Sequence, residues 1–304
     1  MVSFRYHLVS IVAVFLALAL GVLLGTTVIN NGIIDDLNRR TDQASTRVHQ
    51  LQAEVNDLQA QGRISSSYES LSEPLLVKGQ LANRKVLILT LDGVDVPEVD
   101  GVRTSLENGG ASITGILVAR PKLGLGAEDD RSTLATLMGM PADAPADQVT
   151  SEAGRQLGTR LGQGVGAGGV DLLQQMITDG YVALRSGTGV PADVGGPDQG
   201  VVLVSGGVDP PAVDPERFLV PVAESLVGLG RPVVAAETFD TVYPFVAGIR
   251  DEGTLDGNLA TVDNANTTPG HIAVVLSLRD LFDTPGDGGD YGAKGGATSL
   301  FPKT

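Results

Sequence analysis

From Leu8 to Ile29 the chain reads LVSIVAVFLALALGVLLGTTVI, an apolar run without one charged side chain. A helix needs roughly 20 such residues, at about 1.5 Å each, to cross a bilayer. The competing reading is a cleaved export signal, whose apolar core is normally about 7–15 residues. Ala17-Leu18-Ala19 matches a cleavage pattern, but the apolar run continues through Leu24, so an uncleaved anchor is the better reading. Arg5 precedes the run, while Asp35 and Asp36 follow it. This bias places residues 1–7 in the cytoplasm and residues 8–29 across the plasma membrane, in a single pass with everything after it extracytoplasmic. Within the span, Ala13, Ala17, Gly21 and Gly25 recur every fourth residue. Small residues on one stripe let helix backbones approach closely in lipid, which makes this an association face.

Asn30-Asn31-Gly32 is expected to break the helix. Beyond it, over residues 33–61, apolar side chains alternate by three and four. Ile34, Thr41, Val48 and Val55 take the a positions of a heptad, and Leu37, Ala44, Leu51 and Leu58 take d. Branched residues at a with Leu at d favour a two-stranded parallel coiled coil, about 40 Å long over four heptads. The apolar stripe is narrow, unlike the broad face of a helix packed on its own domain. The flanking pairs Arg40–Ser45, Arg47–Gln52 and Glu54–Gln59 are not complementary in charge. They leave a homodimer and a heteromeric partner equally open. Gly62 to Ser67 is expected to end this stalk.

Residues 80–283 read as an α/β domain. Lys85–Asp92 (KVLILTLD) is a continuous apolar run with a polar end, as a buried parallel strand reads. Further strand candidates are Ser112–Ala119, Tyr181–Arg185, Gly200–Ser205, Pro232–Glu237 and His271–Ser277. Helical patterns fall between them, at Val99–Glu107, Asp130–Met138, Asp147–Leu161, Val170–Thr178 and Pro215–Gly228. Such alternation predicts a mainly parallel, doubly wound sheet. Residues 284–304 form a Gly-rich acidic tail, expected to be disordered.

In doubly wound sheets ligands bind beyond the carboxyl ends of the strands. Two loops qualify, Asp92-Gly93-Val94-Asp95 and Ser205-Gly206-Gly207-Val208-Asp209. Asp92, Asp95, Ser205 and Asp209 could line a polar pocket there, although Asp and Gly at such places also serve turns and helix caps. Gly164, Gly166 and Gly169 satisfy G-x-G-x-x-G formally. They follow a helical pattern rather than a strand, so they read as a linker and not as a dinucleotide site. The chain carries no G-x-S-x-G, H-E-x-x-H or P-loop lysine motif, and its three histidines lie far apart, which argues against an enzyme. The net charge of −15 repels phosphate backbones and excludes nucleic acid as a partner.

The opening MVSFRYHLVSIVAVFLALALGVLLGTTV resembles the start of the actinobacterial copper transporter family typified by MctB. The stretch PGHIAVVLSLRDL, from Pro269 to Leu281, resembles that family again, as does the Gly-rich tail with Tyr291-Gly292. The resemblance implies an envelope protein of copper transport or homeostasis, which in mycobacteria lies in or near the outer membrane. It also implies an alternative: SteB-like corynebacterial members partner a septal membrane protein in cell division and daughter-cell separation. Copper is implied by this resemblance alone, and the residues sit uneasily with it. Cu(I) favours Cys or Met sulfur and Cu(II) favours imidazole. The chain has no cysteine, which leaves Met138, Met140 and His271 as candidate ligands, and these methionines read as core residues. One span cannot line a pore, and the apolar runs lack the alternation of a barrel. The chain is therefore expected to act as an oligomeric scaffold without a bound cofactor.

Overall fold

A computed structural model describes residues 4–166, 170–187, 190–207, 209–253, 255 and 257–303. The chain divides into a unit that ends at Ser65 and a unit that begins at Ser66. Helix α1 is assigned over Phe4–Val77. Its Arg5–Gly25 stretch is long and apolar enough to cross a membrane. Neither expected interruption occurs, because residues 30–32 and 62–67 are both helical. Isolated Asn, Gly and Ser residues lower helix propensity by about 1 kcal/mol or less each, which neighbouring turns absorb. The helix stops at Val77, just before Gly79, whose φ of 77° suits the left-handed step that ends helices.

The second unit is built on a seven-stranded sheet. Its strands are β1 (Lys85–Leu91), β2 (Ser112–Ala119), β3 (Val182–Gly187), β4 (Gln199–Ser205), β5 (Val233–Glu237), β6 (Ala260–Val262) and β7 (Asp290–Tyr291). They lie in the order β3-β2-β1-β4-β5-β6-β7, and all neighbours pair in parallel except β3, which runs antiparallel to β2. The helices are α2 (Val96–Asn108), α3 (Glu128–Leu137), α4 (Ala146–Gln163), α5 (Leu172–Thr178), α6 (Pro215–Gly228), α7 (Val246–Glu252) and α8 (Thr268–Asp283). β4 is buried along its whole length, and so are β1 beyond Lys85 and all of β5. Burial on both faces is why these strands are apolar throughout rather than alternating. Winding reverses between β1 and β4, which places the topological switch point there.

Within this second unit, two more expectations need correction. His271–Ser277 is not a strand but the middle of α8. Thr267 caps that helix by accepting from the Gly270 N–H, and Pro269 sits in its first turn. Nine of its residues are buried, from Gly270 to Leu281, so the helix shows no polar face. A buried helix and a buried strand are then alike in hydropathy, and the cap is the only local signal. The tail is ordered rather than loose. Asp290 and Tyr291 pair with Thr261 and Val262 of β6, and Tyr291 bridges onward to Ser299.

Helix α4 crosses α6 closely because glycines face it. A Cβ on Gly154 would lie 2.5 Å from the Phe218 carbonyl oxygen, and one on Gly158 would lie 2.7 Å from that of Val222. Neither backbone oxygen can step aside without moving its helix. Gly158→Val is expected to destabilise the domain by about 1–3 kcal/mol in denaturant unfolding. Gly228→Ala, where nothing lies within 4 Å, should be neutral or slightly stabilising. Equal effects of the two changes would contradict this packing.

Candidate functional site

The loops that leave β1 and β4 meet at the switch point. A Cβ on Gly207 would lie 3.5 Å from the Gly93 carbonyl oxygen, so the two glycine turns are in contact. Asp92 pairs with Arg120 at 3.6 Å. Asp95 holds the N-cap position of α2 in an extended conformation, but its side chain makes no capping hydrogen bond. Ser205 is buried and pairs with Glu237 across β4 and β5. Its hydroxyl has no partner among the described residues, and the same holds for the buried hydroxyls of Thr90 and Thr238. Among the described residues no base stands on the Ser205 hydroxyl. Asp209 is exposed on the β4 loop. Sequence thus located the loops, and the structure brings them together at one rim.

A third loop, after β5, completes that rim. Thr241 Oγ1 and the Val242 N–H both donate to the Gly207 carbonyl, at 3.1 and 3.4 Å. Glu98, at the start of α2, is raised above the ordinary carboxylate range by burial, and then by the nearness of Asp240 and Asp95. Like charges are thus crowded at this rim.

Four further residues escaped the sequence reading. Glu237, at the end of β5, is 1% exposed, and Asp263, just past β6, is fully buried. Lys294, from the tail, donates to Glu237 Oε1 at 2.9 Å and to the Thr238 carbonyl at 3.0 Å. The other Glu237 oxygen accepts the Phe245 and Val246 N–H groups at the start of α7. Arg250 of α7 donates to Asp263 Oδ2 at 2.8 Å, and also holds Thr261, Asp290 and the Tyr291 carbonyl. Asp263 Oδ1 accepts the Ala293 and Lys294 N–H groups. The tail is thus tied down by two buried carboxylates. A carboxylate closing an apolar strand, as in VVAAE, was the sequence signal available.

The candidate copper ligands do not converge. Met138 is buried and Met140 packs partly buried against the core. His271, on α8, faces Gly101 of α2, and its Nδ1 lies 3.6 Å from Glu73 of α1. Glu73 in turn accepts from Ser105. Among the described residues no three of His, Cys, Asp and Glu are grouped so as to hold a metal ion.

On α1, Ala13, Ala17 and Gly21 are exposed, and a Cβ on Gly21 or Gly25 would meet nothing within 4 Å. Leu37, Val48, Leu51, Val55 and Leu58 are 55, 62, 52, 44 and 60% exposed. The Ile34 side chain lies outside the described residues.

Two outcomes follow. Lys294→Met leaves Glu237 buried without its cation, which should cost about 3–5 kcal/mol in denaturant unfolding. Adding Glu237→Gln should recover part of that loss, and strict additivity would contradict the coupling. The Glu98 shift gives a pH signature. A carboxyl whose folded pKa is raised favours the fold while protonated, and that contribution is lost as pH rises through the folded pKa. Glu98→Gln should therefore raise the melting temperature at neutral pH, with the difference closing below about pH 4. A pH-independent difference would count against charge crowding.

Comparison with known proteins agrees with the layout. The family described as "Copper transport outer membrane protein, MctB" matches residues 1–302. The copper transporter MctB of Mycobacterium tuberculosis and that of Mycobacterium bovis are each 25% identical over 333 aligned residues, covering 99% of this chain and 99% of theirs. The copper transporter MctB of Mycobacterium leprae is 24% identical, again with 99% coverage of both chains. This chain, an apolar N-terminal helix followed by a mostly parallel α/β domain, belongs to the MctB family.

Proposed function

We propose that this chain is a membrane-anchored envelope protein of copper transport or homeostasis, acting as an associating scaffold rather than as the conduit. The carrying observation is the contrast between its two units. In the second unit the apolar side chains of the sheet are closed into a core. In the first, Val48, Leu51, Val55 and Leu58 stand open at heptad spacing. An apolar seam of that length is stable in water only against another helix. The anchor is the helical stretch Arg5–Gly25, with the N-terminus in the cytoplasm and the domain outside, and Ala13, Ala17, Gly21 and Gly25 support association within the bilayer. A parallel sheet sided by helices is not the closed antiparallel wall of an outer-membrane barrel, which favours anchorage by the helix.

Copper on this reading is cargo of the assembly. The domain offers no thiolate, and its neighbouring methionines are committed to packing. The purified full-length protein should bind copper no better than an unrelated acidic protein, by competition with a chromogenic chelator. A stoichiometric sub-micromolar site lost on changing Met138 and Met140 to Leu would overturn this. The seam would equally serve a septal adaptor in daughter-cell separation, and the protein found along it separates the two roles.

Replacing seam leucines with charge leaves a carboxylate unpaired in an apolar contact, at a cost of several kcal/mol. Leu51→Glu with Leu58→Glu should therefore abolish association of the membrane-embedded protein, read by chemical crosslinking. The melting temperature of the α/β domain should not change. Retained association would defeat the seam, and unfolding of the domain would show that these leucines pack on it instead.

A further inference from the structure

The geometry points to the carboxyl-end face of the α/β domain as a docking surface for a cationic, extended segment of a different envelope protein. This goes beyond association along α1, uses another surface, and stands or falls separately. Three observations carry it.

The first is bare apolar surface on a tied-down frame. The loops after β1, β4 and β5 are stitched together at Gly93, Gly207 and Thr241. On that frame Val96 and Val242 are 50 and 59% exposed, and Phe239 is 52% exposed with the Lys294 ammonium 6.0 Å from its ring centroid. Beside them lies a cleft of about 380 Å³ lined by Pro210, Pro211, Val242, Tyr243 and Pro244, with Asp214 and Glu216 at its edge. Proline and aromatic walls suit an extended backbone, which loses little freedom on docking there.

The second is charge. Asp95, Glu98 and Asp240 crowd the same rim, and among the described residues none of them forms an ion pair. Two cations tied to these loops are already engaged, Arg120 with Asp92 and Lys294 with Glu237. Bare apolar contacts ringed by uncompensated carboxylates match Lys or Arg side chains whose stems lie on the rings and prolines.

The third is what the surface rejects. A second copy would bring an identical acidic face on a chain of net charge −15. A metal ion finds no grouped set of three ligands among the described residues. A cationic segment of another protein meets both the apolar and the charged features.

The test uses the full-length protein in its membrane, with the photo-crosslinker p-benzoylphenylalanine at Val242. A control carries it at Val170, which is 80% exposed on another loop. Crosslinked peptides are then sequenced by mass spectrometry. Adducts at Val242 should map to Lys- or Arg-bearing segments of another envelope protein. Their yield should fall at least roughly tenfold in the Asp95→Asn, Glu98→Gln, Asp240→Asn variant, and fall likewise at high salt in the wild-type chain. The variant should melt no lower than wild type, since it loses repulsion while an Asn at 240 keeps an oxygen to accept from Asn266 Nδ2. The salt arm decides if it does not. Adducts confined to this chain or to segments without Lys or Arg, a yield no greater than at Val170, or a yield insensitive to salt would each overturn the proposal.

Discussion

Buried charge must be answered, and here it is answered by the end of the chain. Glu237 and Asp263 close β5 and β6 with carboxylates that solvent does not reach. Left alone, each would cost several kcal/mol. Arg250 neutralises Asp263, and Lys294 reaches back across 57 residues to neutralise Glu237. Because the cation for Glu237 arrives on the tail, the tail becomes part of the sheet, adding β7 and its bridge to Ser299. Glu237 also holds the start of α7 by accepting the Phe245 and Val246 N–H groups. One edge of the domain thus depends on contacts between residues remote in sequence.

That remoteness explains what could be read in advance. The central strands β1, β2, β4 and β5 were legible because burial on both faces makes a strand continuously apolar. Helix α6 was legible to the residue, from Pro215 to Gly228, because Asp214 caps it by accepting from Glu216 and Arg217 N–H groups. Helix α8 was not, since burial removed its polar face and left only the Thr267 cap to mark it. β6 and β7 are three and two residues long, too short for any period, and exist because neighbouring segments pair with them. The loops at Asp92 and Ser205 could be located because polar residues followed apolar runs. That Asp240 joins Asp95 and Glu98 depends on strand order, which local sequence does not carry.

The chain separates its tasks by charge and polarity. An acidic protein repels copies of itself in water, so on the proposed scaffold reading association is concentrated where charge is absent. The seam from Leu37 to Leu58 and the small-residue face of the apolar helix meet that condition, whereas the carboxyl-end rim of the domain does not. The rim instead offers negative charge around bare rings and prolines. Membership of a copper transport family is shown, and the proposed scaffold role leaves the metal to components richer in sulfur or imidazole.

The most direct measurement is a cysteine scan of residues 47–59 in native membranes, with maleimide labelling as the readout. The chain has no cysteine, so each variant carries a single thiol. The account predicts protection at Val48, Leu51, Val55 and Leu58, with free labelling at the positions between them. That pattern should appear whichever protein supplies the second helix. Even labelling around the whole helix would show that the seam is empty in the membrane, and would contradict the scaffold reading.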